Sequence, residues 1–469
     1  MPSKRHLSRR RFVALAVGTG ALAGCAGDGD GGTATPETTT RTETATDTGT
    51  PTPERTTAAD ERAVVDAVER VAVPFELTPP AAGLDTVAAR LAESRIVGIG
   101  ENSHGVAEFK TIPELLVPRL VSEHGYRLVA VEGTLGEFAP VNEYVTGGDV
   151  TLDEAMASLE FYFWKADGIR RLFEWLREWN AGRPAGDRAV VHGYDAQFFD
   201  VNATAIRDYL ARVDPAYLDD VEADLTPLTE PLYERHEVEF VTDERLALLD
   251  ALRERLRTHR REYVAASSES AWRLARRHVR TLERALRFQA ELQAENYTRG
   301  KSIRDAAMAN NVAWLREWTG SDRAVVLGNS NHTMRNDGGD GATRMGQHLS
   351  DEFGDDYYSL GMLFGTGTFA APTGSHREAF ETYDLDGPVE GTLAATLAEV
   401  EHSHLFLDFD AASDRPQVDA LLDDISTVQF SVPRAAKRGA VPLPVSPDAV
   451  FDGVTFVHTA SPASFSSPE

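Results

Sequence analysis

The sequence predicts an α/β protein: a mostly parallel sheet flanked by helices, with a helical subdomain inserted. Two observations carry that prediction. Short β-branched runs recur along the chain, each ending in glycine or polar residues, and helical patterns follow them. Alternation of this kind builds parallel strands joined by helical crossovers. Between Val201 and about Trp318 the strand signal stops, and apolar residues recur at three- and four-residue steps instead.

Taken in order, residues 1–24 read as an address. Ser8-Arg9-Arg10-Arg11-Phe12 precedes an apolar stretch from Val13 to Leu22, then Ala23-Gly24-Cys25. A basic region, a short apolar region and small residues make a signal peptide, and the paired arginines point to twin-arginine export. Leu22-Ala23-Gly24-Cys25 has the form of a lipobox, so Cys25, the only cysteine in the chain, is the expected lipidation site. Residues 25–60 read as a flexible Thr-rich linker, with 13 Thr between Thr33 and Thr57 and too little apolar surface to offset ordering entropy. The folded part is expected over 61–469.

Strands are predicted at Arg95–Ile99, Arg127–Val131, Ala189–His192, Ala324–Leu327, Tyr357–Leu363, His404–Asp408 and Val454–His458. An amphipathic helix is expected from about Ala107 to His124. Residues 201–318 are expected to form the helical insertion, and the stretch from Arg253 to Gln293 is long, arginine-rich and helical in period. Its arginines alternate with Glu254, Glu262, Glu269, Glu283 and Glu291, which reads as a solvated face.

Composition narrows the function. The chain carries 74 acidic against 47 basic side chains, a formal net charge of −27, which disfavours nucleic acid as a partner. With 42 Arg and five Lys, the acidic excess has the character of a protein from a salt-loving organism, where surface carboxylates keep the chain solvated. One cysteine excludes an internal disulfide framework and a multi-thiolate metal site. The sequence holds no G-x-S-x-G elbow, Walker loop or H-E-x-x-H helix.

Residues able to bind or move protons fall just after the predicted strands: Glu101 and His104, Glu132, Asp195, then Asn329 and His332. In open α/β sheets the crevice beyond the carboxyl ends of the strands is where ligands bind. His104 lies in Gly100-Glu101-Asn102-Ser103-His104-Gly105, where the flanking glycines suggest a tight turn. It reads either as a proton acceptor held by Glu101 or as a structural residue capping the next helix. Glu132 is either a partly desolvated acid or an exposed strand end. Asp195 is a site residue or a helix N-cap. His332 reads as a site residue or a solvated loop histidine. His402 and His404 could join His104 and His332 in a metal site, although nothing in the spacing selects a metal.

These blocks resemble the erythromycin esterase family. Gly100–Gly105 with Glu108-Phe109 and Ala130-Val131-Glu132 is similar to that family's opening, and Gly193-Tyr194-Asp195 to its G-x-D strand end. Met308-Ala309-Asn310-Asn311, Met345-Gly346, Tyr357–Gly361 and Gly367-Thr368-Phe369 resemble later blocks. The resemblance implies hydrolysis of a carboxylic ester or macrolactone by water, with no cofactor, no metal and no covalent acyl-enzyme, and a role in the response to an antibiotic. It implies His104 as general base, Glu101 and Glu132 orienting it, and His332 positioning water or the carbonyl oxygen. Asn329, Asp195 and Lys110 are then expected to bind substrate. Two departures stand out: Asn329 replaces the first histidine of the family's W-A-H-N-A-H, and Pro113 stands where the family has an arginine, leaving Lys110 as the nearest base. The expectation is an exported, lipid-anchored ester hydrolase at the cell surface. A non-catalytic binding lipoprotein and a metal-dependent hydrolase are the alternatives.

Overall fold

The computed structural model describes residues 58–231, 239–372, 380–423, 428–430, 441–443 and 445–465. Cys25 and the expected signal peptide lie outside the described residues, as does all but the end of the expected linker.

The strands are β1 (Val73–Pro74), β2 (Ile96–Glu101), β3 (Leu128–Thr134), β4 (Val190–Asp195), β5 (Ala324–Asn329), β6 (Tyr357–Pro372), β7 (Phe380–Leu385), β8 (His404–Asp408), β9 (Val428–Phe430), β10 (Val441–Leu443) and β11 (Gly453–Ala460). Nine of them form one sheet in the order β1-β8-β11-β6-β2-β5-β3-β4, with β7 paired to β6. The centre from β11 to β4 is parallel, whereas β8, β1 and β7 join antiparallel. Every residue of β2 and β3 is buried, as expected for parallel strands covered by helices on both faces. One face packs on the helices Leu84–Leu91, Glu108–His124 and Asp167–Asn180, and the other on Tyr297–Thr319 and Met345–Phe353. Among the described residues no helix is long and apolar enough to cross a membrane.

The predicted strands all form, most of them longer than expected. β6 runs nine residues past Leu363, to Pro372. Its Gly365-Thr366-Gly367-Thr368 stretch has a turn-like composition, yet it remains within the strand, with Gly367 at φ +112°, and pairs with β7 from Gly367 onward. Between β4 and β5 the described residues are helical and form a core of their own, with Leu252, Val279, Leu282 and Leu286 inside it. The stretch of helical period from Arg253 to Gln293 is helical and is divided among three helices, Asp243–Thr258, Arg260–Ala266 and Glu269–Gln293. The last break has a local cause, because the Ser268 side chain accepts from the Ala271 N–H and caps a new helix.

Candidate active site

β2, β5, β3 and β4 are parallel neighbours, so their carboxyl ends finish on one rim. Glu101 lies opposite Asn329 in the β2–β5 register, and Thr134 opposite Asp195 in β3–β4. The glycines here serve close approach more than turning. Neither Gly100 nor Gly105 has a left-handed backbone, but a Cβ on Gly105 would sit 1.6 Å from the Ala370 carbonyl oxygen. At Gly328 a Cβ would meet the Tyr194 hydroxyl at 2.3 Å and Glu132 Oε2 at 3.2 Å.

The first group is built on β2 and the start of the following helix, Glu108–His124. Glu101 is 2% exposed; its Oε1 lies 2.6 Å from His104 Nδ1 and its Oε2 accepts from Lys110 Nζ at 2.5 Å. Burial raises the Glu101 carboxyl, but the Lys110 and His104 charges outweigh that and hold it below the usual carboxylate range. Lys110 shifts downward, because burial outweighs the help it receives from Glu101. With Glu101 ionised, His104 donates its Nδ1 proton to it, which leaves the lone pair on Nε2. The imidazole stacks on Phe163 with ring centroids 3.8 Å apart and planes 7° apart. The Lys110 ammonium lies over the Phe163 and Trp164 rings at 5.5 and 4.8 Å. His104 therefore does not cap the helix, whose N-cap is Ala107. Carboxylate and ring together fix its orientation.

The second group gathers at the ends of β3, β4 and β5. Glu132 Oε2 accepts from the Asn329 N–H at 2.7 Å, and its Oε1 accepts from Arg304 Nη2 at 3.1 Å. Arg304 also binds Asp195 through Nε at 2.8 Å and Nη2 at 2.7 Å. Burial disfavours the guanidinium charge, yet Asp195 and Glu132 more than compensate and raise its basicity. His332 lies between carboxylates, with Nδ1 2.8 Å from Asp305 Oδ1 and Nε2 3.5 Å from Glu132 Oε1. Asp305 is fully buried and takes the Met345 N–H at 2.8 Å as well. Burial pushes its carboxyl up, but His332 and the nearby arginines leave it below the usual range.

The groups meet through β5, since Asn329 is beside Glu101 in the sheet and donates its N–H to Glu132. Trp164 adds a second link, its indole N–H donating to the Glu132 carbonyl at 2.6 Å. Two of the residues expected to bind substrate are sealed instead. Lys110 is 2% exposed and Asp195 is fully buried, each engaged by a salt bridge, so both hold other site residues in place. Asp195 is not a helix N-cap either, for Phe199 precedes the next helix. Asn329 is half-buried, and its Oδ1 caps the Asn331 N–H at 2.9 Å. His404 lies on β8, with β11 and β6 between it and β2. Among the described residues no three His, Cys, Asp or Glu side chains form a group able to hold a metal ion. The arrangement supplies one oriented imidazole whose Nε2 has no hydrogen-bond partner among the described residues, beside a second imidazole and an arginine–carboxylate network.

Sequence reasoning missed Arg304, Asp305, Phe163 and Trp164. For the first two a signal existed: Met308, Val312 and Leu315 are buried on the same helix, so positions four and three residues before Met308 share that face.

The erythromycin esterase family model matches residues 121–460. The chain is similar to the erythromycin esterase type II of Escherichia coli, 22% identical over 369 residues that make up 72% of this chain and 86% of that one. Among solved structures, a Bacillus cereus protein superposes with a TM-score of 0.73 at 20% identity, covering 87% of this chain and 99% of that one. A succinoglycan biosynthesis protein gives a TM-score of 0.70 at 18% identity, covering 87% of this chain and 99% of that one. A mutant erythromycin esterase in its open conformation gives 0.61 at 16% identity, covering 83% of this chain and 98% of that one.

Proposed function

The chain belongs to the erythromycin esterase family, whose members hydrolyse esters, and from that premise we propose that it cleaves a small carboxylic ester or lactone with His104 as general base. In this reading His104 Nε2 takes a proton from water while the oxygen attacks the ester carbonyl. Glu101, charged and buried, stabilises the imidazolium that forms. His332 and the Asn329 side-chain amide donate to the developing oxyanion, and Glu132, Asp195 and Arg304 hold that pair in place. As the tetrahedral intermediate collapses, His104 returns the proton to the departing alcohol oxygen. The products are a carboxylic acid and an alcohol, with no bond to the enzyme.

The observation that carries the reading is the 2.6 Å contact between Glu101 Oε1 and His104 Nδ1, backed by Lys110. Export through the twin-arginine route, lipid attachment at Cys25 and interception of an antibiotic outside the cell belong to the same proposal, supported by the N-terminal sequence. A second reading, ligand binding without turnover, draws on Asn329, which cannot carry a proton where the family has histidine.

A panel of carboxylic esters and lactones, erythromycin included, assayed in concentrated salt before and after chelation, tests the proposal. Product formation that survives chelation supports it. Tight binding of a panel member without product favours the second reading, and loss of turnover on chelation favours metal-dependent chemistry.

A further inference from the structure

A cavity of about 320 Å³ lies between the helices Glu269–Gln293 and Tyr297–Thr319 and the segment around Thr343 and His348. Arg277, Arg280, Arg284 and Arg299 line it with hydroxyl and amide side chains, and no carboxylate is among its lining residues. In a chain of net charge −27 that is the opposite of what chance would place there. Arg299 pairs with Glu291 at 2.9 Å, but Arg277, Arg280 and Arg284 have no carboxylate within ion-pair reach among the described residues. Arg277 Nε donates to Asn311 Oδ1 at 2.6 Å and Arg280 Nη2 to Asn310 Oδ1 at 3.0 Å, both neutral amides.

The acids on the same helix are already committed. Glu283 pairs with Arg253 and Arg287, and Glu291 with Arg299. Three arginines at 277, 280 and 284 stand at three- and four-residue steps, where like charges repel. Arg277 forms the buried end of the row at 6% exposure. Burial and the Arg280 charge lower it to about 9, and the attraction of Glu317, which makes no ion pair with it, does not restore the loss. The adjoining groove of about 800 Å³ shares Arg277, Arg280 and Arg284 with the cavity, but Asp250, Glu254 and Glu283 line it as well, and these pair with Arg253, Arg257 and Arg287. Planar guanidinium forks beside hydroxyl donors suit the oxygens of a phosphate group, and the volume leaves room for a small organic moiety attached to it.

We propose that this cavity binds a soluble, phosphate-bearing small molecule, its phosphate held by Arg277, Arg280 and Arg284. The site is distinct from the rim. None of the rim residues lines it, and Asn311 links the two by donating to the Tyr194 carbonyl at 2.8 Å.

Titration calorimetry of the full chain with inorganic phosphate, pyrophosphate and glycerol 3-phosphate, in one concentrated chloride buffer, tests this. The comparison is with the double variant Arg280→Gln/Arg284→Gln, whose positions are exposed and outside the hydrolytic rim. The expected result is saturable one-to-one binding of at least one probe, weakened about tenfold or more in the variant, with ester turnover of the variant unchanged. Absence of saturable binding, equal binding by both proteins, or heats reproduced by extra chloride would overturn it. None of these outcomes depends on whether His104 is the base.

Discussion

Arg304, on the helix Tyr297–Thr319, and Arg277, packed against that helix, are both largely withdrawn from water, the Arg304 side chain at 12% exposure and Arg277 at 6%, and their surroundings are opposite. Arg304 reaches two carboxylates, Asp195 and Glu132, which restore more than burial removes. Arg277 donates to the Asn311 amide, lies over the Trp314 ring and faces Arg280, and the attraction of Glu317 is too weak to offset burial, so its basicity falls to about 9. Burial alone therefore does not decide the state of a guanidinium; the carboxylate beside it does. The rim is an electrostatic set that the fold completes by itself, whereas the cavity is a set that an anion from outside would complete.

The largest expected effect breaks the first half of that comparison. Arg304→Met leaves Asp195 and Glu132 buried without their cation and should cost about 3–5 kcal/mol in denaturant unfolding. Arg277→Met removes a charge that makes no ion pair among the described residues, so its cost should stay below about 1 kcal/mol, or turn into a gain. Equal costs for the two variants would contradict the contrast.

Acid sharpens it next. His278 in the insertion and His192 on β4 are buried and lowered to about 4. Their depressed values mean stability that is present above pH 6.5 and lost as pH falls toward 4, about 3 kcal/mol for each. The rim carboxylates Glu101 and Asp305 are also held low, so what they contribute is lost only in stronger acid. His278→Gln should make the loss of stability between pH 6.5 and 4 about 3 kcal/mol smaller; an unchanged slope in urea titrations at several pH values would count against this.

The smallest effect concerns Glu137, next to the rim. Burial, with Glu160 and Asp195 adding to it, holds its carboxyl well above the usual range. Its folded value is raised, so its stabilising share is complete in acid and lost as pH rises. Glu137→Gln should accordingly raise the melting temperature at pH 8 and leave it nearly unchanged at pH 4. The reverse ordering would show that Glu137 is charged in the native protein.

How much of this was legible in the sequence follows from what each residue does. Glu101, Glu132, Asp195 and Asn329 could be read because each ends an apolar run that can only be a buried strand, and strand ends in a parallel sheet share one rim. Arg304 and Asp305 escaped notice because charged residues on a long helix resemble a solvated face, and only the Met308–Leu315 spacing turns them inward. Phe163 and Trp164 belong to a short 3-10 turn, Tyr162–Trp164, which has no period to detect. β1 and β7 were missed for related reasons, one being two residues long and the other mostly polar. The roles assigned to Lys110 and Asp195 came from resemblance, and burial moved both from meeting substrate to holding other residues.

The most direct test of the account is turnover by His104→Ala on whichever ester the wild-type protein hydrolyses, with unfolding measured alongside. Glu101 keeps Lys110 as its partner in that variant, so the fold should survive. The account predicts a kcat at least about 100-fold lower with an unchanged melting temperature. Equal turnover by the two proteins would remove His104 from the reaction.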